Sequence, residues 1–283
     1  MKKILGVVSS HRKLGNGEIV VKAVARELGE GWELSLIRLP KLRVEPCKGC
    51  YICLLPGKEC NLQDDVEWLF KRIDETDAVI FTTSNYFFGP VGMVKMLADR
   101  ALQAKVYAES FKSKKTVAAL TMGKEEFRGY ADTVLVSQIS AIGLRVGGLE
   151  IFYGTHPGEI GLKEEFKEKI KRLARCLTSP VPLAEDQSDR CPRCRSDLFR
   201  LGPDGIECAL CKALANLENG RLRFTHFHHQ FTEEGLKEHQ EWLLRKKIEF
   251  ATIKDRLKEV REEYQEGLWL SPPSDLEIKR SDF

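Results

Sequence analysis

The feature that most constrains this fold is a regular alternation of apolar strand patterns with amphipathic helix patterns over the first 180 residues. Helix patterns separate short apolar runs, which predict strands at 3–8, 32–39, 77–84, 116–122 and 145–153. Because strands that alternate with helices usually form parallel sheets covered on both faces, we expect an α/β fold for this region.

Five strands suit the doubly wound, flavodoxin-like strand order, in which ligands bind at the carboxyl ends of the strands. We therefore predict that residues 1–180 form a five-stranded parallel sheet with a ligand site at that edge. The composition changes after this region. Residues 188–224 predict a small four-cysteine module, residues 232–267 one long helix, and residues 268–283 an extended tail.

The predicted long helix carries an apolar row, because large hydrophobic side chains recur every seven positions. The row consists of Leu236, Leu243, Phe250, Leu257 and Tyr264. An exposed row of this length would favour aggregation, so we expect it to pack either on its own domain or on a second subunit.

The overall composition excludes several classes of protein. Of the 283 residues, 42% are hydrophobic and 31% are charged, which allows a packed core and argues against global disorder. The net charge of +3 is too small to indicate nucleic acid as a partner. No stretch approaches ~18 consecutive apolar residues, and the N-terminus lacks the apolar core of a signal peptide. We therefore expect a cytoplasmic protein with no membrane partner.

Nine cysteines fall into two groups of four and one single residue, Cys176. A reducing cytosol disfavours disulfides, so grouped cysteines there more often bind metal. The simplest partition is two metal sites and one buried, inert thiol.

The first group has the spacing C-x2-C-x2-C-x6-C within residues 46–60, at Cys47, Cys50, Cys53 and Cys60. Zinc sites usually join two separate pairs of ligands, whereas three cysteines at this spacing wrap one face of a cubane, as in ferredoxins. We favour a [4Fe–4S] cluster, with zinc or free thiols as alternatives. A disulfide set is disfavoured by the compartment and by the tight loops.

The second group consists of two C-x2-C pairs separated by thirteen residues, at Cys191, Cys194, Cys208 and Cys211. Two such pairs predict a tetrahedral site of four thiolates, which would hold together a segment too short to fold on its own core. Zinc is favoured over rubredoxin-like iron. Rubredoxin-like modules usually carry Gly directly after such a pair, and this chain has an Arg and a Lys there.

The loop at the end of the first strand, residues 9–18, lies where a doubly wound fold binds its ligand. A helix begins near Asn16, and the free backbone N–H groups at such a helix start bind phosphate. Ser9 and Ser10 can donate hydrogen bonds, and Arg12 can supply charge. The alternative is an ordinary strand-to-helix turn, since the loop matches neither a P-loop nor a GxGxxG fingerprint.

This loop resembles the phosphate loop of NAD(P)H-dependent FMN reductases. The resembling motif is S-x-R-x-x-G-N, at Ser10, Arg12, Gly15 and Asn16. That family usually has Ser or Thr at the next position, where this chain has Gly17. The resemblance implies that the loop binds the phosphate of FMN.

Residues 83–100 resemble a second motif of that family, an aromatic loop followed by a helix with K-x-x-x-D-R. The helix motif is present as Lys95, Asp99 and Arg100. The resemblance implies that the loop wraps the isoalloxazine ring, although Ser84 stands where the family often has Pro. The implied flavin contacts are Ser84, Asn85, Tyr86, Phe87, Phe88 and Gly89, with Thr121, Met122 and Gly123 at the end of a later strand.

Together with the first cysteine group, these loops make the first 180 residues resemble the iron–sulfur flavoprotein family of anaerobic archaea and bacteria. The resemblance implies FMN, one [4Fe–4S] cluster and a homo-oligomer (a dimer or a dimer of dimers). Because flavin sites in that family lie near a subunit interface, we favour packing of the long helix on the second subunit. The implied activity is electron transfer between a small carrier, ferredoxin-like or NAD(P)H, and an acceptor.

Two alternative functions stay open. One is a plain NAD(P)H:FMN or quinone reductase whose cysteines are incidental. The other is a redox-responsive binding protein whose four-cysteine module and long helix contact a partner. Nucleic acid is not favoured as that partner, because the module is only mildly basic. The histidine-rich residues 226–231 are expected to form a surface turn.

Overall fold

The computed structural model describes residues 1–179, 190–228 and 233–262. The chain divides into two compact units, Met1–Gln240 and Glu241–Phe283. Within the described ranges, no helix is long and apolar enough to cross a membrane. The predicted tail, residues 268–283, and part of the predicted histidine-rich turn lie outside the described residues.

A parallel sheet lies at the centre of the first unit. In chain order its strands are β1 (Lys2–Val8), β2 (Trp32–Arg38), β3 (Ala78–Tyr86), β4 (Gly89–Pro90), β5 (Lys115–Met122) and β6 (Val146–Tyr153). The parallel strands follow the order β2-β1-β3-β5-β6, which confirms the predicted doubly wound, flavodoxin-like fold. The remaining strand of this sheet, β4, pairs antiparallel with β3. It was not predicted, because two residues are too few to show an alternating pattern.

Helices cover both faces of the sheet. They are α1 (Asn16–Leu28), α2 (Val66–Asp74), α3 (Gly92–Ala98), α4 (Ala108–Ser113), α5 (Ala131–Ala141) and α6 (Phe166–Thr178). One core lies on the side of α1 and α6 and includes Ile4 and Leu173, whereas the other lies on the side of α2 to α5 and includes Val7 and Phe70. Side chains of β1 thus alternate between two cores, so the strand is apolar and buried from Ile4 to Val8.

Cys176 is partly buried rather than fully buried as predicted. It lies on α6 and packs over Gly148 of β6, where an added Cβ would come within 2.6 Å of its Sγ. The absence of a side chain at Gly148 therefore makes room for the thiol.

Residues 190–228 form a small antiparallel sheet. Its strands are β7 (Phe199–Gly202), β8 (Gly205–Cys208), β9 (Leu214–Glu218) and β10 (Arg221–His226), in the order β10-β9-β8-β7. The buried centre consists of the four cysteines and Ala213, with Phe199 and Phe224 packed against it. A centre this small supplies little hydrophobic stabilisation, as expected for a module of this length.

The long helix is present as α7 (Glu233–Glu262), which has 30 residues. Along it, Leu243 is buried, while Phe250 and Val260 are about half exposed.

Candidate flavin site and metal centres

The loop after β1 is anchored to β3 through its first serine. Ser9 is buried, and its hydroxyl donates to Thr83 Oγ1 at 2.8 Å. Ser10 Oγ accepts the N–H of Arg12 at 3.2 Å, which leaves the Ser10 hydroxyl proton free to donate to a ligand. Ser9 therefore holds the loop, while contact of Ser10 with a phosphate stays a prediction.

Helix α1 begins without a side-chain cap. Its N-cap is Gly15, in an extended conformation, and no described side chain accepts from the first-turn N–H groups. These N–H groups and the positive end of the helix dipole fit an anion, so the residues present are suited to a phosphate. The nearby Arg12 donates from Nη1 to the carbonyl of Thr155 at 2.9 Å, which places a cation beside the same helix start.

Arg38, at the end of β2, holds the loop after β1 in place through hydrogen bonds, and no sequence pattern predicted this role. Its Nη1 donates to the carbonyls of Ser10 and Arg12 at 2.7 and 2.8 Å. Its Nη2 donates to Glu18 at 2.6 Å. A lone arginine at a strand end carries no motif, so only the fold could reveal this contact.

Glu18 is the acid that completes this brace. Burial alone would raise its pKa, but hydrogen bonds from Lys22, Arg38 and the N–H of Leu14 outweigh burial and lower the pKa to about 2. Because the folded-state pKa lies below the ordinary value of 4.5, the stabilisation from Glu18 is present above that value. It is lost as the pH falls towards 2. At neutral pH Glu18 is therefore ionised and keeps these hydrogen bonds.

The side chain of Asn16 joins the loop to the segment after β6. Its Nδ2 donates to the carbonyl of Gly154 at 3.0 Å, and its Oδ1 accepts the N–H of Gly158 at 2.9 Å. The Asn16 amide therefore positions two loops at the same sheet edge, and a direct contact of this side chain with a ligand stays a prediction.

Gly17, at the position where the family usually has Ser or Thr, lies against Thr82 of β3. A Cβ added at Gly17 would come within 2.8 Å of Thr82 Oγ1, and Thr82 is completely buried. A serine or threonine at position 17 does not fit unless Thr82 moves.

Replacing Gly17 with alanine is expected to lower the free energy of unfolding by about 1–3 kcal/mol, because it overpacks a closed contact. Urea unfolding of the flavin-free protein measures this. In a Thr82→Ala background the added cost of Gly17→Ala should be smaller, since the clashing oxygen is gone. An equal cost in both backgrounds would contradict the packing explanation.

The aromatic loop is a strained turn between β3 and β4. Its two central residues, Phe87 and Phe88, have φ of +47° and +68°, a left-handed conformation that hairpins usually assign to Asn and Gly. Each non-glycine residue there costs about 1–2 kcal/mol. Phe87 is 92% exposed and Tyr86 is 60% exposed. Strain that presents flat apolar side chains to solvent is typical of a ligand-binding loop.

Contacts from the segment before α5 hold the strained turn. The carbonyl of Phe88 accepts the N–H of Tyr130 at 3.1 Å, and the rings of Phe88 and Phe127 lie 5.9 Å apart. Gly129, at φ +55°, packs directly on Phe88, where an added Cβ would come within 2.3 Å. The turn is therefore held from outside rather than by its own sequence.

Asn85 offers an acceptor that the protein leaves unpaired. Its Nδ2 donates to the carbonyl of Phe127 at 2.5 Å, whereas its buried Oδ1 has no hydrogen-bond partner among the described residues. Buried acceptors are rarely left unpaired, so this oxygen fits an N–H of a bound ring.

The remaining predicted flavin contacts lie at the same sheet edge. Ser84 Oγ and Thr121 Oγ1 are 3.2 Å apart, and the carbonyl of Met122 accepts the N–H of Gly154 at 2.7 Å. Gly123 faces Thr155, whose methyl would lie 3.0 Å from an added Cβ. The fold thus brings the predicted residues together, and their individual contacts with a flavin stay predictions.

The first cysteine group lies between β2 and α2, in a loop that turns through left-handed residues at Gly49, Tyr51 and Gly57. All four cysteines line one pocket. Within the described part of the chain, the sulfurs of this group do not lie within 4.8 Å of one another, the distance that a single-ion site needs. Four cysteine thiolates around one pocket are the ligand set of an iron–sulfur cluster, so the residues present fit such a cluster, and the identity of the bound group stays a prediction.

Two N–H groups already point at sulfurs of this group. The N–H of Gly49 lies 3.5 Å from Cys47 Sγ, and Nη2 of Arg100 lies 3.3 Å from Cys60 Sγ. The family helix motif does not indicate this role for Arg100. Its companions Lys95 and Asp99 form an exposed ion pair instead.

The second cysteine group has the geometry of a single-ion site. All four cysteines are buried, and their sulfurs lie within 4.8 Å of one another. The closest approaches are 3.4 Å, between Cys191 and Cys211 and between Cys194 and Cys208. Four buried sulfurs that close suit one tetrahedrally bound cation, which fits the predicted thiolate site.

The two cysteine pairs adopt the same backbone turn. The N–H of Arg195 donates to the carbonyl of Cys191 at 2.8 Å, and the N–H of Lys212 donates to that of Cys208 at 3.0 Å. Arg195 and Lys212 both have φ of +62°. These are the positions where rubredoxin-like modules usually carry Gly, and here the turn forms without it.

Replacing Lys212 with glycine is expected to stabilise the module by about 1 kcal/mol, because glycine adopts positive φ without steric cost. The matched control is Lys212→Ala, which loses the same half-buried ion pair with Glu207 but keeps the strained backbone. Thermal unfolding of the metal-bound protein compares the two. A melting temperature no higher for the glycine variant than for the alanine variant would contradict the strain.

An ion network joins the four-cysteine module to α5. The carboxylate of Asp132 is completely buried, and both Arg128 and Arg190 donate to it. Burial alone would raise the pKa of Asp132, but these two arginines lower it. Asp197 of the module accepts the hydroxyl of Thr133 at 2.7 Å. The module is therefore held beside the helix that follows the aromatic turn.

A doubly wound sheet with an uncapped first helix and an aromatic turn after β3 has the architecture of a flavin-dependent oxidoreductase. Residues 2–148, more than half of the chain, match the family model of the NADPH-dependent FMN reductases, and the chain belongs to that family. This match confirms the resemblance drawn from the two loops.

Two relatives and one solved structure are also similar. The chain is 32% identical over 176 residues to an iron–sulfur flavoprotein of Archaeoglobus fulgidus, covering 60% of this chain and 76% of the relative. It is 33% identical over 105 residues to an iron–sulfur flavoprotein of Methanocaldococcus jannaschii, covering 37% of this chain and 54% of that relative. A flavone reductase shares the fold, with a TM-score of 0.67 and 18% identity over 95% of this chain and 100% of its own.

Proposed function

We propose that this protein binds FMN and one [4Fe–4S] cluster and passes electrons between a small carrier and an acceptor. The carrier is a ferredoxin-like protein or NAD(P)H. The observation that carries the proposal is that four cysteines with cubane spacing line one pocket on an FMN reductase domain. The names of the two similar iron–sulfur flavoproteins support the same assignment.

Different parts of the chain bind each group. Ser10, Arg12 and the uncapped start of α1 bind the phosphate, and Asn85 with the aromatic turn orients the ring. The cluster is held by Cys47, Cys50, Cys53 and Cys60. When bound, FMN exchanges electrons in pairs or singly, and the cluster exchanges them one at a time. The protein supplies orientation and hydrogen bonds, and it needs no acid–base residue for electron transfer.

The second cysteine group holds a structural zinc ion in this proposal, with rubredoxin-like iron as the alternative. The four buried sulfurs form the largest part of the module's core, so the ion stabilises the fold of residues 190–228. Grouped thiols of this kind suit a reducing, cytoplasmic location.

A homo-oligomer built on a dimer completes the proposal. It is supported by the half-exposed Phe250 and Val260 of α7, which a second subunit would cover. Sedimentation velocity of the full chain is expected to give a dimer or a dimer of dimers. A monomer at micromolar concentration would instead favour the alternative in which the module and helix contact a different partner.

Counts of flavin, iron, sulfide and zinc in anaerobically purified protein test the function. We expect FMN by mass spectrometry of the released flavin, about four irons and four sulfides, and one zinc. FAD at full occupancy would overturn the phosphate assignment. FMN with neither iron nor sulfide would favour the plain NAD(P)H:FMN or quinone reductase.

A further inference from the structure

A buried arginine lies directly beside the first cysteine group. The side chain of Arg100 is 1% exposed, and its Nη2 lies 3.3 Å from Cys60 Sγ. Arginine is always charged and has five N–H donors and no acceptor, so each donor directed at sulfur acts as a hydrogen bond to a thiolate. Arg100 thus faces a predicted cluster ligand with a permanent donor.

The position of this guanidinium is fixed on several sides. Nη1 donates to the carbonyl of Glu45 at 3.0 Å and to the carboxylate of Asp64, and Nη2 donates to Gln103 at 2.7 Å. Gln103 in turn donates to Glu67 at 3.0 Å. The donor is therefore held in place before any cluster binds, which reduces the cost of aiming it at sulfur.

The buried Asp64 separates two possible electrostatic effects. Its carboxylate, also 1% exposed, pairs with Arg100, so the pair contributes little net charge. It also accepts the N–H of Glu45 at 2.8 Å. What remains specific to Cys60 is the directed N–H···S bond. Such bonds favour the more negative, reduced form of a cluster and raise its reduction potential.

We propose that Arg100 is a positioning residue whose N–H···S hydrogen bond to Cys60 raises the reduction potential of the cluster. This inference rests on the proposed function, because it requires a cluster in the first cysteine group. Arg100 follows α3, which begins just after the aromatic turn. One short segment therefore connects the predicted flavin loop with the residue that tunes the cluster.

Redox titration followed by electron paramagnetic resonance tests the inference in the holoprotein. The Arg100→Lys variant keeps the charge but loses the fork of N–H donors, so the cluster potential should shift to a more negative value. The matched control is Lys95→Gln, which removes a 61% exposed cation on the same segment and should leave the potential unchanged. The flavin potential is an internal reference that should not move in either variant.

A measurement on the wild-type protein covers the case in which Arg100→Lys fails to fold or loses the cluster. In protein labelled with 15N at the arginine guanidinium, pulsed electron paramagnetic resonance of the reduced cluster should detect a coupling to that nitrogen. Its absence overturns the inference. So does an unchanged potential in a variant that retains iron and sulfide.

Failure of the proposed function looks different from failure of the inference. Wild-type protein without iron and sulfide removes the cluster and with it the proposed function. Wild-type protein with a full cluster but no 15N coupling leaves the function intact and overturns only the role of Arg100.

Discussion

The Cys50→Ala variant is expected to lose the iron and sulfide of the first cysteine group and the broad visible absorbance of the cluster, while FMN stays bound. Cys50 lies in the loop between β2 and α2, whereas the phosphate loop follows β1. Loss of one of four ligands opens the cubane, because no other described cysteine lies in that pocket to replace it. Iron, sulfide and flavin counts after anaerobic purification measure the effect.

Cys176→Ala is the matched control for this change. It also removes one thiol, but Cys176 lies on α6 and packs over Gly148, away from the pocket of the first cysteine group. Its iron and sulfide should equal those of the wild type. Full retention of iron and sulfide in Cys50→Ala would overturn the cluster assignment.

The second large effect is expected from Cys208→Ala, which should release the metal and unfold the strands β7 to β10. Structural zinc supplies about 10–16 kcal/mol of apparent binding free energy in small modules, far more than a centre of four cysteines and Ala213 supplies by burial. Zinc content and amide hydrogen exchange over residues 190–228 measure the result. The flavin domain should stay protected, since it has two hydrophobic cores of its own.

A substitution on an exposed side chain of β7, Arg200→Ala, is the control and should leave zinc and protection unchanged. Slow exchange throughout the module in a metal-free Cys208→Ala protein would contradict a structural role for the ion. If the amide of Asp132 also loses its protection against hydrogen exchange when the module unfolds, the ion network couples the module to α5.

Much of the fold was predictable because its signals are local. Strands buried on both faces contain continuous apolar runs, so β1, β3 and β5 stand out from the amphipathic helices between them. The spacing within each cysteine group was visible for the same reason, since chelating residues close in sequence share one turn of backbone. Within the central sheet, β4 was not predicted, because its pairing depends on the turn at Phe87 and Phe88.

The parts that stayed hidden are contacts between distant segments. The backbone of Phe87 and Phe88 is left-handed although both residues disfavour it, because Gly129 and Tyr130 hold the turn from more than forty residues away. The fit of Gly17 depends likewise on Thr82, in another strand. The conformational preference of a single residue does not indicate a partner in a distant part of the chain.

The doubly wound sheet, the two cysteine groups and the loops of the predicted flavin site were visible in the sequence, because periodicity and motif spacing are properties of neighbouring residues. The contacts of Arg38 with the loop after β1 and of Arg100 with Cys60 became visible only in the folded chain. Arginine occurs both on exposed surfaces and in buried ion pairs. Its role depends on which acceptors the fold brings to it from other parts of the chain.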